Sequence, residues 1–141
     1  MSDDHKYEVN LQWKNERKGE LTSPLLNQTI EVATPPDFPK GMPGVWSPEH
    51  LLIAAVNSCL MTTFLAIAEN SKLDYDSFEC NAIGWVEKVD GKFQVTKIVL
   101  KPKVTFPSHT SYDKVKRVLE MSEKNCLISN SIKSTVTLEF D

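Results

Sequence analysis

The chain has 141 residues, 40% hydrophobic and 25% charged, with 5 Gly, 8 Pro and 3 Cys. Those shares predict a single domain spanning 1–141 around one packed core, and they exclude collagen-like, disordered and disulfide-scaffold classes. A net charge of −3 argues against a broad nucleic-acid or anionic-membrane surface, so no nucleic-acid partner is expected.

The opening MSDDHKYEVN carries no basic n-region and no apolar h-region, so no secretory signal is read there. The expectation is a cytoplasmic location with reduced thiols, where cysteines serve burial, catalysis or redox sensing rather than structural disulfides. Tyr7 to Trp13 alternates, with Tyr7, Val9, Leu11 and Trp13 on one face, and predicts a half-buried strand. Asn15 to Gly19 reads as a polar turn. Leu21 to Ser23 and Thr29 to Ala33 read as short strands around a bend at Pro24 to Asn27. Thr34 to Trp46 holds Pro35, Pro36, Pro39, Pro43, Gly41 and Gly44, which makes it a loop, because proline lacks a donor N–H and disfavours helix before it.

Ser47-Pro48-Glu49 then opens a helix expected to run to Asn70. Ser47 can cap it, Pro48 suits the first helical position, and Glu49 favours the positive end of the helix dipole. Within it, Leu51 to Ala68 runs 18 residues without a charge, the lower limit of a membrane span. Asn57, Ser58, Thr62 and Thr63 at its centre favour the buried core helix of a soluble protein, so no membrane partner is expected. Phe78 to Val89 and Phe93 to Thr105 read as strands joined at Asp90-Gly91, a strong hairpin signal. Ser111 to Lys124 is a second helix with Val115, Val118 and Leu119 as its apolar stripe. A final strand, Lys133 to Phe140, follows the segment CLISNS. The order βββ-α-ββ-α-β predicts an α+β fold with antiparallel sheet. A helix apolar on every side needs cover on every side, more than one such chain supplies, so dimerisation around it is expected.

By position alone, Cys59 in mid-helix and Cys80 at a strand start read as small buried hydrophobes. Cys126, just past the second helix and before a polar turn, is less easily read as inert. No CxxC is present, and His5, His50 and His109 share no ligand spacing, so no metal site is expected. His50 lies nine residues before Cys59 on one helix, about 13 Å of rise, too far for a Cys-His nucleophile pair within one chain.

Ser47 to Leu60, SPEHLLIAAVNSCL, resembles the signature of the OsmC/Ohr family, the osmotically inducible protein C and organic hydroperoxide resistance proteins. That signature places Asn/Ser-Pro-Glu ahead of a long helix with a cysteine ten residues after the glutamate, a spacing Glu49 and Cys59 keep. Cys126-Leu127-Ile128-Ser129 is similar to the family's Cys-Pro-x-Ser stretch, with leucine in place of proline. The element order matches from Tyr7 to Phe140. The resemblance implies antiparallel sheets packed around a long central helix in an intertwined homodimer. It also implies thiol-dependent reduction of small hydrophobic organic hydroperoxides, with Cys59 as the peroxidatic thiol and Cys126 as the resolving one. An external dithiol reductant would restore them, with no bound cofactor.

A working peroxidatic cysteine must be largely thiolate near neutral pH, against an ordinary pKa of about 8.5. Mid-helix Cys59 is far from its helix N-terminus and apolar surroundings raise its pKa, so a cation is expected beside it. The resemblance points to Arg17, because the family writes its arginine turn Gly-Gly-Arg-x-Gly and Asn15-Glu16-Arg17-Lys18-Gly19 aligns with it. Taken by itself, Arg17 also reads as a solvated turn residue. Glu49 would hold that arginine and orient the peroxide. It lies about 15 Å along the helix from Cys59, so it would have to come from the partner subunit; alone, it reads as a carboxylate at a helix start. Leu51, Leu52, Phe64, Met61 and Trp46 could line an apolar pocket or simply a core. A redox-sensing or small-ligand-binding protein with little turnover is the alternative reading, favoured by the missing proline and the altered arginine turn.

Overall fold

The computed structural model describes residues 5–140, so Met1 to Asp4, on which the expectation of no leader partly rests, lie outside the described residues. The chain divides after Leu51 into two compact units. In the first, β1 (Asn10–Asn15), β2 (Lys18–Thr22) and β3 (Ile30–Ala33) form an antiparallel sheet in the order β1-β2-β3. The polar turn is tighter than the sequence suggests, with only Glu16 and Arg17 outside the strands. Glu16 takes φ 49°, a left-handed conformation that costs a residue with a side chain roughly 1–2 kcal/mol. Glycine would sit there freely, and the Gly-Gly-Arg turn of the resembled family has one at this position.

The strand expected from Tyr7 begins only at Asn10, and Tyr7, Val9, Leu11 and Trp13 are exposed rather than half-buried. The alternation is real, but β1 is an edge strand that among the described residues pairs only with β2, and its apolar row stays exposed. The proline-rich loop closes where Ala33 N–H donates to Trp46 O at 2.8 Å.

Helix α1 (Pro48–Asn70) starts as the capping chemistry predicts: Ser47 Oγ accepts the His50 N–H at 3.1 Å, and Ser47 O accepts that of Leu51 at 3.0 Å. It is long and apolar enough to cross a membrane by length and composition.

In the second unit, β4 (Ser77–Val89) and β5 (Lys92–Thr105) pair antiparallel through Asp90 and Gly91, whose φ values of 52° and 79° are those a two-residue type I′ turn requires. Helix α2 (Tyr112–Lys124) is capped by Ser111 Oγ, which accepts the Lys114 N–H at 3.2 Å. After a 3-10 turn at Ser129–Ser131, β6 (Thr135–Leu138) adds beside β5. It is shorter than the expected Lys133–Phe140 and runs parallel, not antiparallel, because α2 carries the chain back along the sheet before β6 begins.

One stripe of α1 meets this unit's interior. Val56, Leu60, Phe64 and Ala68 recur every four residues and are fully buried. Val56 and Leu60 pack with Ile98 and Leu100, while Phe64 and Ala68 pack with Leu73, Val115, Val118 and Leu119. Gly84 of β4 permits the close approach, since a Cβ there would lie 2.5 Å from Ile53 Cδ1. The opposite stripe of α1, Ser58, Met61, Thr62 and Leu65, is exposed. Among the described residues, the helix expected to need cover all round is therefore buried along one stripe and exposed along the opposite one.

Candidate active site

Cys59 follows the buried stripe by three residues from Val56 and precedes Leu60 by one, which leaves its thiol at the margin of the core, partly exposed. One turn on, Thr63 Oγ1 lies 3.9 Å from its sulfur, the neighbour that helical spacing places on the same face.

The second thiol is positioned by the way α2 ends. Asn125 closes the helix, its N–H donating to Met121 O at 3.1 Å, and Cys126 N–H donates to Glu123 O at 3.1 Å. Cys126 then starts a new helical turn, its carbonyl accepting the Asn130 N–H at 3.0 Å, and Ile128 O accepts that of Ser131 at 2.9 Å. The first N–H groups of such a turn have no partner within it. Ile128 packs its side chain into the Val56 and Leu60 cluster, which fixes the turn against the second unit's core. Cys126 is fully buried, whereas Leu127 faces outward.

Two of those N–H groups, of Leu127 and Ile128, act on the Cys59 sulfur. Burial works against ionising Cys59, but the Ile128 N–H, the Cys126 thiol, Thr63 and the Leu127 N–H together outweigh it and hold the Cys59 pKa below its ordinary value. The turn supplies the stabilisation for which a cation is expected from the sequence. At Cys126 the balance is reversed. Burial pushes its thiol up, the neighbouring Cys59 sulfur adds to that, and the hydroxyl and N–H of Ser129 oppose it without cancelling it. Cys80, on β4, is driven up to about 11 by burial, with the charge of Glu123 adding and the Lys101 backbone opposing. All three cysteines are free thiols.

Of the four residues singled out from the sequence, Cys59 and Cys126 are thus brought near enough for each thiol to affect the other's ionisation. Arg17 is exposed at the β1–β2 turn in the first unit, on a cleft of about 640 Å³ lined also by Glu16, Lys40, Gly41, Met42 and Pro43. Glu49 lies in the first turn of α1, and the unbroken helix separates it from Cys59 by about 15 Å along the axis. Sequence reasoning missed Thr63, Ser129 and the N–H groups of Leu127 and Ile128. Thr63 was discoverable at four residues from Cys59; the N–H groups leave no mark in side-chain identity. Among the described residues no group of three or more His, Cys, Asp or Glu is placed to hold a metal ion.

Comparison with known proteins adds a family. The sequence model described as OsmC-like protein matches residues 41–141. An uncharacterized protein of Bacillus subtilis, YmaD, is 25% identical over 98% of this chain and 93% of its own length. Peroxiredoxin OsmC of Escherichia coli is 26% identical over 67% of this chain and 65% of its own. Among solved structures, an OsmC-like protein of unknown function from Vibrio cholerae superposes with a TM-score of 0.88 at 26% identity, covering 98% of this chain and 100% of its own. The organic hydroperoxide resistance protein OhrB of Bacillus subtilis shares the fold at a TM-score of 0.75 and 18% identity, covering 97% and 98%.

The thiol environments dictate an order of reactivity. Iodoacetamide labelling of the reduced protein across pH is expected to modify Cys59 at lower pH than either Cys126 or Cys80, with the Cys80 inflection near 11. Leu127→Pro removes one N–H donor while suiting the first position of a helical turn, so it should raise the pH at which Cys59 reacts. Cys126 or Cys80 reacting before Cys59, or an unmoved Cys59 profile in a folded Leu127→Pro protein, would contradict this assignment.

Proposed function

We propose, from the premise that the chain belongs to the OsmC-like protein family, that it is a thiol-dependent peroxidase acting on organic hydroperoxides through Cys59 and Cys126. The observation that carries the reading is the placement of the two thiols near each other at one helical turn, each affecting the other's ionisation, with Cys59 the more readily ionised. The Cys59 thiolate attacks the peroxide O–O bond, taking one oxygen as a sulfenic acid and releasing an alkoxide that leaves as alcohol once protonated. Cys126 then attacks the Cys59 sulfur, water departs and a Cys59–Cys126 disulfide remains. An external dithiol reduces it by exchange, so the protein needs no bound cofactor.

An organic rather than inorganic peroxide is favoured by the apolar Met61 and Leu127, both exposed and adjacent in sequence to the thiol-bearing segments. The names of the relatives, peroxiredoxin and organic hydroperoxide resistance protein, point the same way. Reduced thiols in such a cycle suit a cytoplasmic setting.

The proposal includes a homodimer. The exposed stripe of α1, with Met61 and Leu65, and the bare apolar row of β1 are surfaces a second copy would cover. In that dimer Glu49 reaches Cys59 from the partner across antiparallel central helices, and Arg17 serves the peroxide and the developing charge.

Consumption of cumene hydroperoxide with a dithiol tests the chemistry. Wild type is expected to turn over, Cys59→Ser to lose nearly all activity, and Cys126→Ser to consume one equivalent and then stall or overoxidise. Unchanged turnover in Cys59→Ser sinks the mechanism. Oxidation of Cys59 without turnover in wild type favours a redox sensor instead. Sedimentation analysis should return twice the monomer mass, and a monomer would remove Glu49 from the site.

A further inference from the structure

Glu123 is a carboxylate in an unfavourable place. It sits in the last turn of α2, where the exposed carbonyl ends repel negative charge, and its Oε2 is buried without a hydrogen-bond partner. A buried polar group left unsatisfied destabilises the fold, so its presence calls for a role. Ser129 Oγ is also buried and completes no hydrogen bond.

The backbone places these groups in a row. Cys126 N–H bonds to Glu123 O at 3.1 Å and Asn130 N–H bonds to Cys126 O at 3.0 Å, so Glu123, Cys126 and Ser129 follow one another at three-residue spacing on successive turns. Ser129 Oγ is near enough to both Glu123 and Cys126 to favour the charged form of each, although it completes a full bond to neither. Such contacts are often long before the reaction and tighten as charge moves. The other titratable groups involved are Cys80 of β4, which faces Glu123, and Cys59 of α1, which faces Cys126.

We propose that Glu123, acting through the Ser129 hydroxyl, removes the proton from Cys126 as that thiol attacks the sulfenic acid on Cys59. This rests on the peroxidase reading and assigns its second step. The Cys126 S–H passes its proton to Ser129 Oγ while the Ser129 O–H proton moves to Glu123. The new S–S bond forms as the Cys59 S–O bond breaks, the departing hydroxide takes a proton from solvent and leaves as water, and Glu123 afterwards returns its proton to solvent. Cys126 needs such help because it is fully buried. Burial also pushes the Glu123 carboxyl up, only partly offset by Ser129, which makes it a stronger base than an exposed carboxylate. Glu123 and Ser129 are positioning and relay residues, since neither touches the peroxide.

The test is a single turnover. Reduced wild type, Glu123→Gln and Ser129→Ala each receive one equivalent of cumene hydroperoxide, and Cys59 sulfenate and the Cys59–Cys126 disulfide are followed by rapid quench and mass spectrometry. In wild type the disulfide-forming rate should rise with pH as Glu123 loses its proton. Both variants should accumulate sulfenate and close the disulfide roughly 10²-fold more slowly near neutral pH. They should approach the wild-type rate only at alkaline pH, where Cys126 ionises unaided, and Glu123→Asp should recover part of the loss. Ser129→Ala leaves the carboxylate in place, so the relay stays testable if Glu123→Gln fails to fold. Variants with the wild-type rate and pH profile overturn the relay and leave the peroxidase reading standing. A wild type that forms neither sulfenate nor disulfide overturns the peroxidase reading, and the relay with it.

Discussion

The chemistry depends on one local event, the restart of helical winding at Cys126. If α2 simply ended at Lys124 in an extended segment, Cys126 would carry no geometry relative to α1. Instead the Asn125 closure and the Asn130-to-Cys126 hydrogen bond fold residues 126–131 into a short turn whose first N–H groups are free of internal partners. Ile128 ties that turn to the Val56 and Leu60 cluster, so the same packing that stabilises the second unit fixes the thiols against each other. Fold and site are one structure here, and weakening the Ile128 contact would loosen both.

The turn also explains why two neighbouring cysteines differ. Both suffer desolvation, which favours the neutral thiol. Cys59 receives the peptide N–H groups of Ile128 and Leu127 as well as Thr63, and donors of this kind stabilise a thiolate. Cys126 is more deeply buried and faces the Cys59 sulfur, whose charge opposes its own ionisation. The asymmetry suits a division of labour in which one thiol attacks first and the other stays protonated until needed. Leucine at position 127 belongs to this arrangement, because proline there would offer no N–H.

Much of this was legible in the sequence, for particular reasons. Ser47, Pro48 and Glu49 announce the start of α1, and Asp90-Gly91 announces the β4–β5 turn, because each relies on local chemistry that side chains reveal. The direction of β6 was not legible, since parallel or antiparallel pairing depends on where α2 returns the chain. The alternation of Tyr7, Val9, Leu11 and Trp13 marks an apolar face but not what covers it, and all four are exposed. Cys59 and Cys126 came from a motif resemblance, while the backbone donors between them were invisible because N–H groups are common to nearly every residue. Nothing in the sequence sets Glu123 apart from other charged residues near a helix end; its buried oxygen and the neighbouring Ser129 single it out.

The central claim is that Cys59 and Cys126 form one exchange pair, with Cys80 outside it. The most direct measurement is disulfide mapping by peptide mass spectrometry after the reduced protein meets one equivalent of cumene hydroperoxide. A single intramolecular Cys59–Cys126 disulfide with Cys80 still a free thiol is the expected result. A disulfide involving Cys80, or Cys59 carried to sulfinic acid beside a reduced Cys126, would contradict it.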